Sequence, residues 1–261
     1  MRPFASRFWQ ILPVVLLLTT AGYAPSLPAA EPPHVSPEHP LKICLISGSG
    51  EYESAKSMPK FKQALEDKYH IKCTLLLAED KGDKLPGLED LDKADLVVLF
   101  TRRLKVSPEE LKPLLRFVES KKPIIGIRTA SHGFQNYLQF DKDIMGGNYK
   151  GHLGTGTHTL ISRIPAAASH PLLKGVGDKW ESEYTLYKTS PLAEDCVPVL
   201  TGECSDHSVS HPAAWIRERD GRRLFYTSLG GLKDWDNPNF QKLLWNAILW
   251  TSQVPETSLV K

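Results

Sequence analysis

The chain has 261 residues, 41% of them hydrophobic, and its 32 Lys and Arg against 30 Asp and Glu leave a formal charge of +2. Basic residues are interspersed with acids, with no basic block and no aromatic-basic interleaving, so the sequence carries no electrostatic footprint of a nucleic-acid or anionic-membrane binder. Without the N-terminal segment described next, roughly 230 residues remain, enough for one domain with a sizeable core.

Residues 1–30 read as a signal peptide. Arg2 and Arg7 form a short basic start, Phe8 to Leu18 is apolar apart from Gln10 and Pro13, and Ala21 to Ala30 is a small-residue stretch suited to cleavage after Ala30. The apolar run falls short of the about 20 residues a spanning helix needs. The alternative is an uncleaved anchor. The expectation is therefore an exported protein, periplasmic or extracellular, with no stable membrane insertion after cleavage. Residues 31–40, with four prolines, read as an extended linker.

From Leu41 the pattern alternates strand and helix. Lys42 to Ile46 is a first strand ending in Ser47-Gly48-Ser49-Gly50, and a helix follows from Met58 to Tyr69. Ile71 to Leu77 is a second strand. Asp95 to Phe100 is a third, apolar enough to be buried on both faces. Ser107-Pro108-Glu109-Glu110 is a helix start with a capping box, and the helix it opens runs to about Ser120, burying Leu111, Leu114, Leu115 and Val118. Pro123 to Ile127 is a fourth buried strand, followed by the polar turn Arg128-Thr129-Ala130-Ser131-His132. Asp141 to Gly156 is a long glycine-rich loop. Shorter strands follow at Thr159 to Ile164, Pro198 to Thr201, Ala213 to Arg217 and Arg223 to Ser228. Asp236-Asn237-Pro238 starts a closing helix through about Trp250, with Phe240, Leu243, Leu244, Ala247 and Ile248 inward. Residues 253–261 read as a tail.

This alternation predicts an α/β fold: a mostly parallel central sheet flanked by helices on both faces. Ligands of such sheets sit beyond the carboxyl ends of the strands. Glu51, Arg102, Arg103, Arg128 and His132 become candidate neighbours on one rim. Cys44 and Cys73 lie in apolar runs as small buried side chains. Cys196 and Cys204 flank a short strand, where a bridge in an oxidising compartment is the alternative to two free thiols.

Pro123-Ile124-Ile125-Gly126-Ile127-Arg128 resembles the strand-to-turn step at which class I glutamine amidotransferases carry glycine, one residue and the nucleophilic cysteine. The chain is most similar to the ThuA-like (trehalose utilisation) branch of that superfamily. The likeness lies in Leu99-Phe100-Thr101-Arg102-Arg103, Gly126 to His132, Gly147-Asn148-Tyr149-Lys150-Gly151-His152, His170 to Val176, and Phe225-Tyr226-Thr227-Ser228-Leu229-Gly230. It spans 41–252. Many relatives have histidine where this chain has Gly231. The resemblance implies a flavodoxin-like three-layer, amidotransferase-like fold and a small-molecule carbohydrate as partner. A guanidinium at 128 cannot act as a nucleophile, so glutamine hydrolysis is not expected.

The candidate catalytic residues are His152, Glu51 and His132. The candidate substrate contacts are Arg128, Arg102, Arg103, Ser131, Asn148, Tyr149 and Ser228. Several have a plainer reading. Arg128 would pair with Glu51 or Asp234, Arg102 and Arg103 would be solvated, and Glu51 would cap a helix. His132 suits acid/base work at neutral pH or simply bonds its loop. Trp180, Tyr184 and Tyr187 are candidates for stacking on a sugar. Glu51, Glu181, Glu183 and Asp234 are the carboxylates from which a glycosidase pair would come. No cofactor is expected, since Gly48-x-Gly50 lacks the third glycine of a dinucleotide loop. A divalent metal among His132, His152 and His158 is kept as an alternative, although the spacing matches no standard zinc motif. The reading is an enzyme, a hydrolase, lyase or isomerase acting on a sugar or keto-sugar. Its rivals are a non-catalytic saccharide-binding module and a metal-dependent hydrolase. The oligomeric state is left open.

Overall fold

The first strand, β1 (Leu41–Gly48), is buried almost throughout, and it pairs in parallel with β2 (Ile71–Leu77) on one side and β3 (Leu96–Thr101) on the other. A computed structural model describes residues 31–154, 157–206 and 209–261. The signal-peptide reading of residues 1–30 lies outside the described residues. Beyond β3 lie β4 (Ile124–Ile127) and then the late strand β9 (Arg222–Thr227), both parallel. All six residues of β3 and all four of β4 are buried, as the unbroken apolar runs predict for strands covered on both faces.

The sheet then departs from the expected mostly parallel arrangement. β9 pairs antiparallel with β8 (Ser210–Arg219), which leads through β7 (Cys196–Cys204) and β5 (Thr159–Arg163) to β6 (Lys179–Ser182). The order is β2-β1-β3-β4-β9-β8-β7-β5-β6, a nine-stranded mixed sheet, half parallel and half antiparallel. β6 escapes a pattern search because it is a four-residue edge strand, Lys-Trp-Glu-Ser, with only Ser182 buried.

Helices cover both faces. α1 (Ser54–Lys68) and α3 (Pro238–Ser252) pack on one side and α2 (Pro108–Glu119) on the other. The five inward residues expected of α3 are all buried, each worth about 1.5–3 kcal/mol of burial apart from the smaller alanine. α2 opens on the predicted capping box: Glu110 N–H donates to Ser107 Oγ (3.3 Å), and Ser107 N–H donates to Glu110 Oε2 (2.9 Å). Its buried face is Leu111, Leu114 and Phe117, with Leu115 and Val118 half-buried. α1 starts four residues before Met58. Ser54 Oγ accepts from Ser49 N–H and from Ser47 Oγ, both at 2.8 Å, tying the extra turn to the end of β1. The last residues pack back through α4 (Glu256–Leu259), where Leu259 is buried and Val260 bridges to Tyr69.

All four cysteines are free thiols. Cys196 and Cys204 stand at opposite ends of β7, roughly 26 Å apart at a strand's rise, whereas a bridge needs Cα atoms within about 7 Å. The bridge alternative is thereby corrected.

Candidate active site

The order of the parallel strands reverses at β1, with β2 to one side and β3 to the other, and the turns after β1, β3 and β4 meet beyond the sheet edge. There they enclose a cavity of about 770 Å³. Glu51, Arg102, Arg103, Ser131, His132, Tyr149 and His152, all expected from the sequence, line it.

Three expected residues do not. Arg128 is 1% exposed and lies under the cavity floor. Its Nη1 donates to the Ser228 carbonyl (2.6 Å) and its Nη2 to the Tyr52 hydroxyl (3.1 Å). The guanidinium carbon lies 4.3 Å from the Tyr52 ring centre, 4.6 Å from Tyr187 and 5.2 Å from Tyr184, a cage of three π faces. Ser228 is buried behind it, its hydroxyl donating to the Ala213 carbonyl (3.2 Å). Asn148 turns away to the Ser190 carbonyl (3.3 Å).

Arg128 pairs with neither Glu51 nor Asp234. Glu51 is held by Arg102 (Nε to Oε2, 2.6 Å). Asp234 accepts from the Gly230 and Gly231 amides and from Ser182 Oγ, each at 2.8 Å. Burial favours the neutral guanidine, but the surrounding tyrosines and Asp234 outweigh it, so the pKa of Arg128 is raised. The backbone at Arg128 is left-handed, φ 45°, a conformation that L-residues avoid. The Tyr226 hydroxyl pins it by donating to the Arg128 carbonyl (2.6 Å). Gly231 accounts for another local departure. A Cβ there would lie 2.0 Å from the Tyr184 ring, so in this chain Tyr184 fills the space a side chain at 231 would take.

His132 closes the short 3-10 turn Arg128–His132 rather than opening a helix. Its ring stacks on Tyr149 (centres 4.2 Å apart, planes at 12°), and its Nδ1 lies 3.1 Å from Ser131 Oγ. Burial, with Arg102, Arg103 and Arg128 adding repulsion, pushes its pKa down to about 3. It is a neutral ring at physiological pH, and burial with three nearby arginines makes it a weak base. The Arg103 backbone is also left-handed (φ 49°), and its N–H donates to the His132 carbonyl (2.8 Å).

The glycine-rich loop supplies the opposite wall. A π-helical turn, Asp141–Met145, leads into it, and Asp141 Oδ2 accepts from Tyr149 N–H (2.7 Å). Asp141 Oδ1 is buried without a partner, and burial lifts the carboxyl pKa to about 6. Lys150 and Gly151 are stitched to Lys188 by two backbone bonds of 2.9 Å, which brings Tyr187 beside His152. His152 is exposed to the cavity, with Nδ1 2.8 Å from the Leu153 carbonyl. A carbonyl only accepts, so Nδ1 carries the proton and Nε2 stays open.

Asp141 and Lys150 line the cavity although sequence reasoning passed over them. The available signal for Asp141 was an acid at the mouth of a glycine-rich loop. Of the carboxylates weighed as a glycosidase pair, only Glu51 faces the cavity. Glu181 bonds His158, and Glu183 pairs with Lys233. Tyr187 lines the cavity, Tyr184 lies beneath with Arg128, and Trp180 packs against the core. Among the described residues no group of three or more His, Cys, Asp or Glu is arranged to hold a metal.

The fold and its rim define an α/β protein with a polar, aromatic-walled cavity at the carboxyl ends of its parallel strands. The ThuA family, described as trehalose utilisation, matches residues 42–251, and the chain belongs to it. Among solved structures it is similar to a ThuA-like protein of Bacteroides uniformis, at 14% identity and a TM-score of 0.64, over 87% of this chain and 96% of that one. A ThuA-like protein of Parabacteroides merdae gives 18% identity and the same TM-score of 0.64, over 82% and 90% of the two chains. The carbohydrate deacetylase Agd3 gives 16% identity and a TM-score of 0.56, over 82% of this chain but 32% of its own. At these identities the likeness is one of fold. No curated protein matches the chain.

Proposed function

We propose that the chain is an exported enzyme of carbohydrate catabolism that acts on a sugar or keto-sugar by acid/base chemistry in the rim cavity. Membership of a family described as trehalose utilisation supports the substrate class, as does a fold shared with a carbohydrate deacetylase. Export rests on the basic start and apolar run of residues 1–30. The order β2-β1-β3-β4-β9, with a left-handed residue directly after β4, supports a flavodoxin-like, class I amidotransferase-like ancestry. Arg128 stands at the former nucleophile position, and none of the four cysteines lines the cavity.

The observation that carries the reading is His152. Its Nδ1–H is committed to the Leu153 carbonyl, leaving Nε2 to take a proton from a bound hydroxyl or carbon acid and return it later. The stacked Tyr149 and His132 rings offer a flat face to a sugar, and the Glu51–Arg102 pair offers both an acceptor and donors to hydroxyls.

The test is turnover of trehalose and its keto derivatives by the purified chain and by His152→Gln. The expected result is activity in the parent and a loss of at least about 100-fold in the variant, with affinity within a few-fold. Saccharide binding that survives the substitution, with no turnover in the parent, would instead establish the non-catalytic binding module. Turnover unaffected by the substitution would remove His152 from the chemistry.

A further inference from the structure

The charges around the cavity do not balance. Of the four cations at or beneath it, only Arg102 has a carboxylate partner, Glu51. Arg128 is buried among tyrosines with its Nε lacking any partner. Arg103 and Lys150 line the rim and form no ion pair among the described residues. The remaining acid, Asp141, also lines the cavity, with one oxygen on the Tyr149 amide and the other buried without a hydrogen-bond partner.

Exposed lysines and arginines are ordinarily solvated and mean little alone. Arg128 differs, because water does not reach it and an unpaired buried charge is costly. Its field still enters the cavity, since Tyr52 and Tyr187 touch the guanidinium on one side and line the cavity on the other. Arg103 has a left-handed backbone, and its N–H bond to the His132 carbonyl (2.8 Å) ties this rim residue to the turn that carries His132. Arg103 lines the same cavity as the stacked His132 and Tyr149 rings.

We infer that the ligand of this cavity is a sugar bearing an anionic group, a carboxylate or a phosphate ester, which Arg103 and Lys150 receive at the rim above the buried Arg128 while the ring lies on Tyr149 and His132. This rests on the carbohydrate reading above and narrows it. Guanidinium and ammonium donors form shorter and stronger hydrogen bonds with anionic oxygens than with hydroxyls. The bound anion also supplies a counter-charge to Arg103 and Lys150, which form no ion pair among the described residues.

The experiment is calorimetric titration of the full chain with D-glucose, D-glucuronate, D-glucose 6-phosphate and inorganic phosphate. The same titrations are run on the double variant Arg103→Gln/Lys150→Gln, whose melting temperature checks folding. One sugar anion should bind at least about tenfold more tightly than D-glucose, with the preference reduced to about twofold in the variant and weakened by salt. Which anion leads distinguishes carboxylate from phosphate. Equal affinity for D-glucose and both sugar anions would overturn the inference and leave the carbohydrate reading standing. Capture of inorganic phosphate with no gain from a sugar ring would overturn both, as would binding of none of the four.

Discussion

Replacing Asp141 by asparagine separates the energetic burden of its charge from its role as an acceptor. The carboxyl is buried, one oxygen accepts from Tyr149 N–H and the other has no partner. Its pKa is lifted from 3.8 to about 6, so the folded protein binds the proton more tightly than the unfolded chain. The sign follows from linkage: this contribution is fully present below pH 3.8 and is lost as pH rises through 6. Relative to the protonated state, ionised Asp141 costs about 3 kcal/mol at pH 7.5 and about 0.5 kcal/mol at pH 4. Asparagine keeps the acceptor for Tyr149 and carries no charge, but its amide N–H group lacks a partner, a constant penalty of about 1–3 kcal/mol. The constant cancels when two pH values are compared. Urea unfolding of parent and Asp141→Asn should therefore show the variant gaining about 2.5 kcal/mol on the parent between pH 4 and pH 7.5. A stability difference that stays within about 0.5 kcal/mol across that range would refute the desolvated-carboxyl argument.

Two further expectations concern the same wall. His132, pushed down to about 3, should show imidazole resonances that stay neutral to pH 5, while an exposed histidine titrates near 6.5; ordinary titration would refute the burial and arginine repulsion assigned to it. Linkage here has the opposite sign to Asp141: stability is intact above pH 6.5 and falls by roughly 2 kcal/mol by pH 5 on the way to pH 3. Gly231→Ala should destabilise by about 1–3 kcal/mol, because its Cβ would lie 2.0 Å from the Tyr184 ring, and Tyr184→Ala in the same chain should recover most of that loss. Additive losses in the double variant would show that Tyr184 does not occupy the space at 231.

Much of the parallel half was legible because its signals are local. Asp-Leu-Val-Val-Leu-Phe and Pro-Ile-Ile-Gly-Ile have too few polar residues to face water on either side, and Ser107 with Glu110 closes a helix start from within four residues. The remainder depended on partners distant in sequence. The early start of α1 is set by Ser54 meeting Ser47 and Ser49, and the edge strand β6 exists because β5 offers it a ladder. Phe117 buries in place of Leu115 and Val118 because of where the helix lies on its neighbours, which hydrophobic spacing alone leaves undecided.

The site divides along the same line. That the loops after β1, β3 and β4 meet follows from strand order, and so seven of the ten expected side chains reach one cavity. Where a side chain at the rim points does not follow from strand order. Arg128 was placed correctly on the turn, yet it leaves the cavity for a cage built by Tyr52, Tyr184 and Tyr187, residues that only the folded chain assembles. Asp141 was passed over because its unusual acidity comes from burial, which a glycine-rich loop does not announce. The turn after β4 holds a left-handed residue, a conformation that costs of order 1 kcal/mol or more for a side chain of this size. What offsets it is the Tyr226 bond to the Arg128 carbonyl and the grip of three tyrosines and the Ser228 carbonyl on the guanidinium, so the turn serves as the seat of a buried charge.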